Sequence, residues 1–341
     1  MENVNGRVFL VTGSAGFVGN NVVRQLLDRG ERVRALYHNK RLDFKELGCN
    51  TDSLEYFQCD VREPSTLDKA FENAGGAELY VIHTSALVTI MDTRKSKKDI
   101  WEINVGGTKN MIDACLKHGA KRLIYVSSCH AIPDKKESPI AEIENFDPAN
   151  VHGTYAKTKA AAARLVSDAV KTQGLDAVIL HPTGITGPND YSNTHLTHMA
   201  AVYLRKGFPA LPKGGYNFVD VRDVAWGIIT AADKGKTGEC YLLSNKNYSI
   251  GQMMDYLAEI TGKKPVKRFV PTWLIKAVAP FSECYYKTFK KNPLFTKYSI
   301  YTLNTNGDFT HDKATAEFGY LPRGLKESLT DTIKFIKENN L

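Results

Sequence analysis

The chain has 341 residues, 43% of them hydrophobic and 24% charged, with a formal net charge of +8. This describes a soluble globular protein with room for one large core and a smaller lobe, not a membrane-spanning chain. The positive balance would attract an anionic cofactor. The basic runs at 135–136, 263–264 and 287–291 are short and read as solvated faces, so no nucleic-acid partner is expected.

The first residues lack a basic segment followed by an apolar run, so no secretory signal is expected. Six cysteines without CxxC spacing read as reduced core residues, which suits a cytoplasmic location. The apolar stretch 273–281 is interrupted by Lys276 and Pro280 and falls short of the about 20 residues a bilayer span needs.

In chain order, residues 8–11 form an apolar run suited to a strand buried on both faces, and residues 17–27 are apolar at helical spacing. Gly13, Gly16 and Gly19 therefore lie at a strand-to-helix turn. There they permit a tight bend, close approach of a pyrophosphate and close packing of helix on strand. Residues 32–37 read as a second strand. Where an NAD-preferring site places Asp or Glu on the adenosine ribose, roughly 20 residues past the glycines, this chain has Tyr37 followed by His38, Asn39, Lys40 and Arg41. With Arg34 earlier on the strand, that end would welcome a 2′-phosphate, so NADP(H) is favoured over NAD(H).

Residues 54–59 read as a third strand ending at Asp60, where adenine could be met, and 64–73 as a helix. Residues 79–83 form a fourth strand ending in the small residues Thr84, Ser85 and Ala86. Residues 97–117 read as one long helix holding the polar Asn104, whose amide must be satisfied if buried. Residues 122–126 form a fifth strand ending at Ser127 and Ser128. The connection 132–154 is long enough to suggest a functional cover. Residues 155–171 return to helix, and 177–180 form a sixth strand ending near Pro182 and Thr183. Further on, 194–205, 250–261, 273–290 and 325–338 are helical by pattern. Residues 217–221 are short and extended, 240–243 rejoin the main sheet, and Asp220 or Asp223 caps a helix running to residue 232.

This alternation predicts an α/β fold: a doubly wound parallel sheet with a smaller, mostly helical lobe. The expected division is 1–182 plus 217–246 for dinucleotide binding, and 183–216 plus 247–341 for substrate. Tyr155 and Lys159 are four apart on one helix face. An ammonium beside a phenol favours the phenolate and lowers its pKa, while Ser128 could polarise a substrate oxygen. His195 and His198 have metal-like spacing without a third ligand, so no metal is expected. Cys129 and His130 have no evident role. Tyr285, Tyr286, Phe289, Phe295 and Tyr298 belong to the core of the lobe or to an apolar pocket for a ring-bearing substrate.

Together, the motifs TGSAGFVG at 12–19, DV at 60–61, NVGGT at 104–108, VSS at 126–128, YAKTK at 155–159 and HPTG at 181–184 resemble the extended short-chain dehydrogenase/reductase superfamily. The likeness continues through 187–188, 218–225 and 313–322, and is greatest to its dihydroflavonol-reductase-like and 3β-hydroxysteroid-dehydrogenase-like branches. It implies Ser128, Tyr155, Lys159 and Asn104 as the catalytic group. Cofactor contacts would come from Gly13, Ala15, Gly16, Phe17, Val18, Gly19, Arg34, His38, Lys40, Arg41, Asp60, Val61, Thr84, Ser85, Ala86, Tyr155, Lys159, Pro182 and Thr183. The implied activity is reversible hydride transfer between a nicotinamide and a small-molecule ketone, aldehyde or secondary alcohol. An NAD-dependent nucleotide-sugar epimerase or dehydratase and a non-catalytic dinucleotide sensor are the alternatives, and a homodimer is left open.

Overall fold

The computed structural model of the chain describes residues 6–72, 76–88, 94–271 and 297–341. The expected helix at 273–290, with Tyr285, Tyr286, Phe289 and Phe295, lies outside them. Seven strands form one sheet in the order β10-β6-β5-β4-β1-β2-β3, every neighbour parallel. They are β1 (Arg7–Thr12), β2 (Arg32–Tyr37), β3 (Leu54–Gln58), β4 (Glu78–His83), β5 (Arg122–Val126), β6 (Ala177–Pro182) and β10 (Cys240–Leu243). The order reverses between β1 and β4, so the crevice beyond their carboxyl ends is where a doubly wound sheet takes a ligand.

Alternate residues of each strand face opposite sides of the sheet, so the apolar runs feed two cores. Leu10, Val81, Leu123 and Ile179 pack with Met111 and Ala160 on one side. Phe9, Val11, Ile82 and Ile124 pack with Val22, Leu26, Val224 and Ile228 on the other. The first side is covered by α2 (Pro64–Phe71), α4 (Gly107–Lys117) and α5 (Thr154–Gln173), where the alanines at 160–163 let α5 lie close to the strands. The second is covered by α1 (Phe17–Asp28) and α7 (Val221–Lys234), the latter capped by the Asp220 carboxylate on the Arg222 N–H.

A third core joins Met199, Tyr203, Phe218, Ile250, Met254, Leu257, Leu329 and Ile333. It draws on α6 (His195–Lys206), α8 (Ile250–Thr261) and the helix Leu325–Glu338. Two small sheets frame it. One orders β11 (Lys246–Ser249), β9 (Gly215–Asp220) and β7 (Gly184–Thr186), and the other pairs β12 (Phe269–Val270) with β8 (Leu211–Pro212). The sequence pattern does not announce β7, β8, β11 or β12. They run two to four residues, too short for periodicity to register, and β11 is largely exposed.

The helix expected at 97–117 begins earlier and is not uniform. It comprises α3 (Arg94–Trp101), a π-helical turn Glu102–Gly106 and α4. Such wide turns inside α-helices are rare and recur at functional sites. This one carries Asn104.

Candidate active site

At the end of β1 the chain turns with φ of +65° at Gly13, a conformation natural to glycine. The Gly16 N–H donates to the Gly13 carbonyl at 2.8 Å. A side chain at Gly19 would be impossible, because its Cβ would lie 2.1 Å from the Gly13 carbonyl oxygen. No side chain caps α1, so its first backbone N–H groups and the positive end of its dipole face an anion-sized gap. On the β4 side, the Thr84 hydroxyl donates to the Thr12 carbonyl at 2.6 Å, and Thr12 Oγ1 takes the N–H groups of Thr84 and Ser85 at 3.2 Å. These bonds fix the two strand ends against each other.

The resulting cleft has a volume of about 550 Å³. It is lined by Gly13, Gly16, Phe17, Val18, Gly19, His38, Asp60, Val61, Thr84, Ser85, Ala86, Ser128, Tyr155, Lys159, Pro182 and Thr183. Ala15 is not part of this lining; it packs against the core beneath α1. The cradle suits the diphosphate of a dinucleotide.

The adenosine end differs from expectation. Arg34 is buried inside the sheet layer, its guanidinium bound to Glu55 at 2.9 Å and to the carbonyls of Ala70 and Glu72 at 2.8 and 2.7 Å. It points toward the end of α2, so it cannot reach a ribose phosphate. Lys40 and Arg41 are exposed and do not line the cleft, and Arg41 lies over the Tyr56 ring at 4.8 Å. Of the basic candidates, His38 does line it, together with Arg62, which was not anticipated. Arg62 grips Asp60 at 2.6 Å and holds that carboxyl down at about 2, with His38 Nε2 3.3 Å from it.

Ser128, Tyr155 and Lys159 come together at the opposite end. Ser128 leaves β5 in extended conformation, and its Oγ accepts the His130 N–H at 3.3 Å, so its own hydrogen remains for another acceptor. Lys159 is buried. Its Nζ donates to the Val126 carbonyl at 2.7 Å and lies 4.7 Å from the Tyr125 ring centroid. The expected acidification of the phenol by this amine is absent in the polypeptide alone. Burial pushes Tyr155 up to about 12, partly offset by its hydrogen bond with Ser128, and burial pulls Lys159 down to about 7. Desolvation, which penalises each group's charged form, sets both shifts.

Asn104 is buried outside the cleft. Its Oδ1 accepts the Leu87 N–H at 2.7 Å, and its Nδ2 donates to the Leu87 carbonyl and to Thr158 Oγ1, both at 3.0 Å. It thus ties the π-turn to the segment that follows β4 and to the helix bearing Tyr155. His181 donates from the other side, its Nδ1 lying 2.9 Å from the Ser128 carbonyl. That contact anchors the end of β5 next to Ser128, a link the sequence did not show.

Tyr155 also borders a second cavity, about 520 Å³ in volume, whose apolar walls include Ile185, Leu196, Met199, Phe218, Ile250 and Leu303. His195 and His198 lie on its rim. His130, Tyr216 and Tyr298 line this cavity and a third of about 430 Å³ beyond it. Tyr298 is among the aromatics that the sequence assigns to the lobe core or such a pocket, while His130, two residues past Ser128, has no role evident from the sequence. Tyr216 arrives from β9, which no nearby motif marks as part of a site.

The parallel strand order with a glycine turn at its reversal defines a Rossmann-type dinucleotide-binding protein. The chain belongs to the NAD-dependent epimerase/dehydratase family, the extended short-chain dehydrogenases/reductases, whose pattern it matches over residues 9–251. It is 29% identical to sterol demethylase protein B of Methylococcus capsulatus, over 97% of this chain and 99% of that one. A candidate dihydroflavonol 4-reductase of Synechocystis sp. is 30% identical, over 97% and 95% of the two chains. Human 3 beta-hydroxysteroid dehydrogenase type 7 is also 30% identical, over 97% and 95%. The crystal structure of gox2253 superposes with a TM-score of 0.82 at 29% identity, covering 97% of this chain and 98% of that one.

Proposed function

We propose that the protein is an NADP(H)-dependent oxidoreductase acting reversibly on a ketone, aldehyde or secondary alcohol of an apolar, ring-bearing molecule. The observation that carries this reading is the position of Tyr155, shared by the dinucleotide-sized cleft and the apolar cavity. Relatives named for sterol, flavonol and hydroxysteroid chemistry support the substrate class.

A nicotinamide dinucleotide bound in the cleft would give or take the hydride. Gly13, Gly16 and the start of α1 would hold its diphosphate, Asp60 and Val61 would meet its adenine, and Lys159, Pro182 and Thr183 would hold its nicotinamide end. Tyr155 keeps its proton across the neutral range, so it begins reduction as an acid, passing that proton to the substrate oxygen while Ser128 donates a hydrogen bond to the same atom. Lys159 titrates near neutrality, and in its charged form it stabilises the phenolate left behind. The absence of an acidic side chain at Tyr37 and His38 favours NADP(H) over NAD(H). Five free cysteines among the described residues support a cytoplasmic setting. No helix among those residues is long and apolar enough to cross a membrane.

The test is Tyr155→Phe, assayed by nicotinamide absorbance on a panel of ketones, aldehydes and sterols and by NADPH fluorescence titration. Turnover should fall about 1,000-fold with NADPH affinity within about twofold of wild type. Equal loss of both would remove Tyr155 from the chemistry. Wild-type protein that holds NAD through purification without exchanging it would instead favour a nucleotide-sugar epimerase.

A further inference from the structure

The wall between the second and third cavities has an unfinished hydrogen-bond inventory. His130 Nε2 and the Tyr216 hydroxyl are 2.8 Å apart, and Cys129 Sγ lies 3.6 Å from the same hydroxyl. Burial holds His130 well below its ordinary value, so the ring is neutral and has one donor and one acceptor nitrogen. Tyr216 engages Nε2, and Nδ1 is the ring's second polar atom at this wall. The Tyr298 hydroxyl, on a ring 5.8 Å from His130, is buried and lacks a hydrogen-bond partner among the described residues. Its ring is held in place by Gly153, where a Cβ would come within 2.5 Å of it. Buried polar groups in native proteins are nearly always satisfied, and one left over beside a cavity calls for a reason, of which a bound group is one.

The His130 ring also stands edge-on to Tyr155, the centroids 6.1 Å apart at 77°. A molecule presenting its reacting carbonyl to Tyr155 and Ser128 would therefore bring a neighbouring part of the same ring system to His130 and Tyr298. We infer that His130, oriented by Tyr216, and Tyr298 form a recognition site for a second oxygen on the substrate, distinct from the one reduced. The inference rests on the oxidoreductase reading. It narrows the substrate to an apolar ring compound with two oxygen functions, a hydroxyketone or diketone. Such a site discriminates strongly, because an analogue lacking the oxygen leaves buried polar groups unpaired.

The probe is a pair of polycyclic ketones identical except for a second ring hydroxyl, assayed with wild type, His130→Phe, Tyr216→Phe and Tyr298→Phe. Wild type should favour the hydroxyketone at least tenfold in kcat/KM. His130→Phe and Tyr298→Phe should each cut that ratio about tenfold, chiefly through KM. Tyr216→Phe should cut it less, and His130→Asn should restore part of it. NADPH titration of each variant confirms an intact cleft. If all four proteins reduce both ketones with unchanged preference, or a variant lowers both equally, the hydrogen bonds are internal ties and the inference is overturned. If wild type reduces neither ketone nor any other carbonyl compound, the oxidoreductase reading has failed, and the inference with it.

Discussion

The two chambers that meet at Tyr155 are built in opposite ways. The dinucleotide cleft rests on rigid strand ends: its glycine turn spans seven residues of continuous chain, and its opposite lip is the next strand in the sheet, bolted by Thr12 and Thr84. The apolar cavity takes its walls from Val88, His130, Ile185, Met199, Tyr216, Ile250 and Leu303, scattered through the chain. A shared cofactor is served by geometry that contiguous sequence can specify. A particular substrate is served by side chains that only the packing of a second lobe brings together.

The largest expected effect breaks the first chamber alone. Gly19→Val forces a side chain into the Gly13 carbonyl, so dinucleotide affinity should fall more than about 100-fold, equivalent to about 2.7 kcal/mol, by fluorescence titration. Unchanged affinity would mean the turn does not hold the diphosphate. His38→Asp sharpens the comparison at the ribose end. An added carboxylate there should repel a 2′-phosphate and move the NADPH to NADH ratio of kcat/KM about tenfold toward NADH, whereas an unmoved ratio would withdraw the NADP(H) preference.

A separate effect, on stability and not on either chamber's ligand, concerns the histidine beneath Ser128. Burial holds His181 at about 4, below its usual value of about 6.5. Between those values the unfolded chain binds a proton that the native one refuses, so the stability it contributes is present at neutral pH and lost as pH falls. His181→Gln should therefore shrink the stability lost between pH 6.5 and 4.5 by about 2 kcal/mol, measured by urea unfolding at both pH values. An unchanged loss would show that His181 is not the titrating group. His83, buried between Thr12 and Thr108 and held at about 3, should keep its share of the acid sensitivity in that variant.

Most of the sheet and the outline of the cleft were legible in the sequence because each depends on local order. Short apolar runs bounded by turn residues suit buried strands, glycines at a strand-to-helix junction mark a turn, and residues four apart share a helix face. The same logic brought Ser128, Tyr155 and Lys159 to one edge, since parallel strands deliver their ends to one side of the sheet. What failed was whatever depends on side-chain direction or environment. Arg34 sits at a position whose side chain faces α2 and the carbonyls that end it, a fact set by the pleat and by packing. The protonation of Tyr155 and Lys159 follows from desolvation, which spacing on a helix does not reveal. The tie of Asn104 to Leu87, the four short strands of the second lobe and the meeting of His130 with Tyr216 all required the tertiary structure, because the bonds that make them join residues 17 to 86 positions apart.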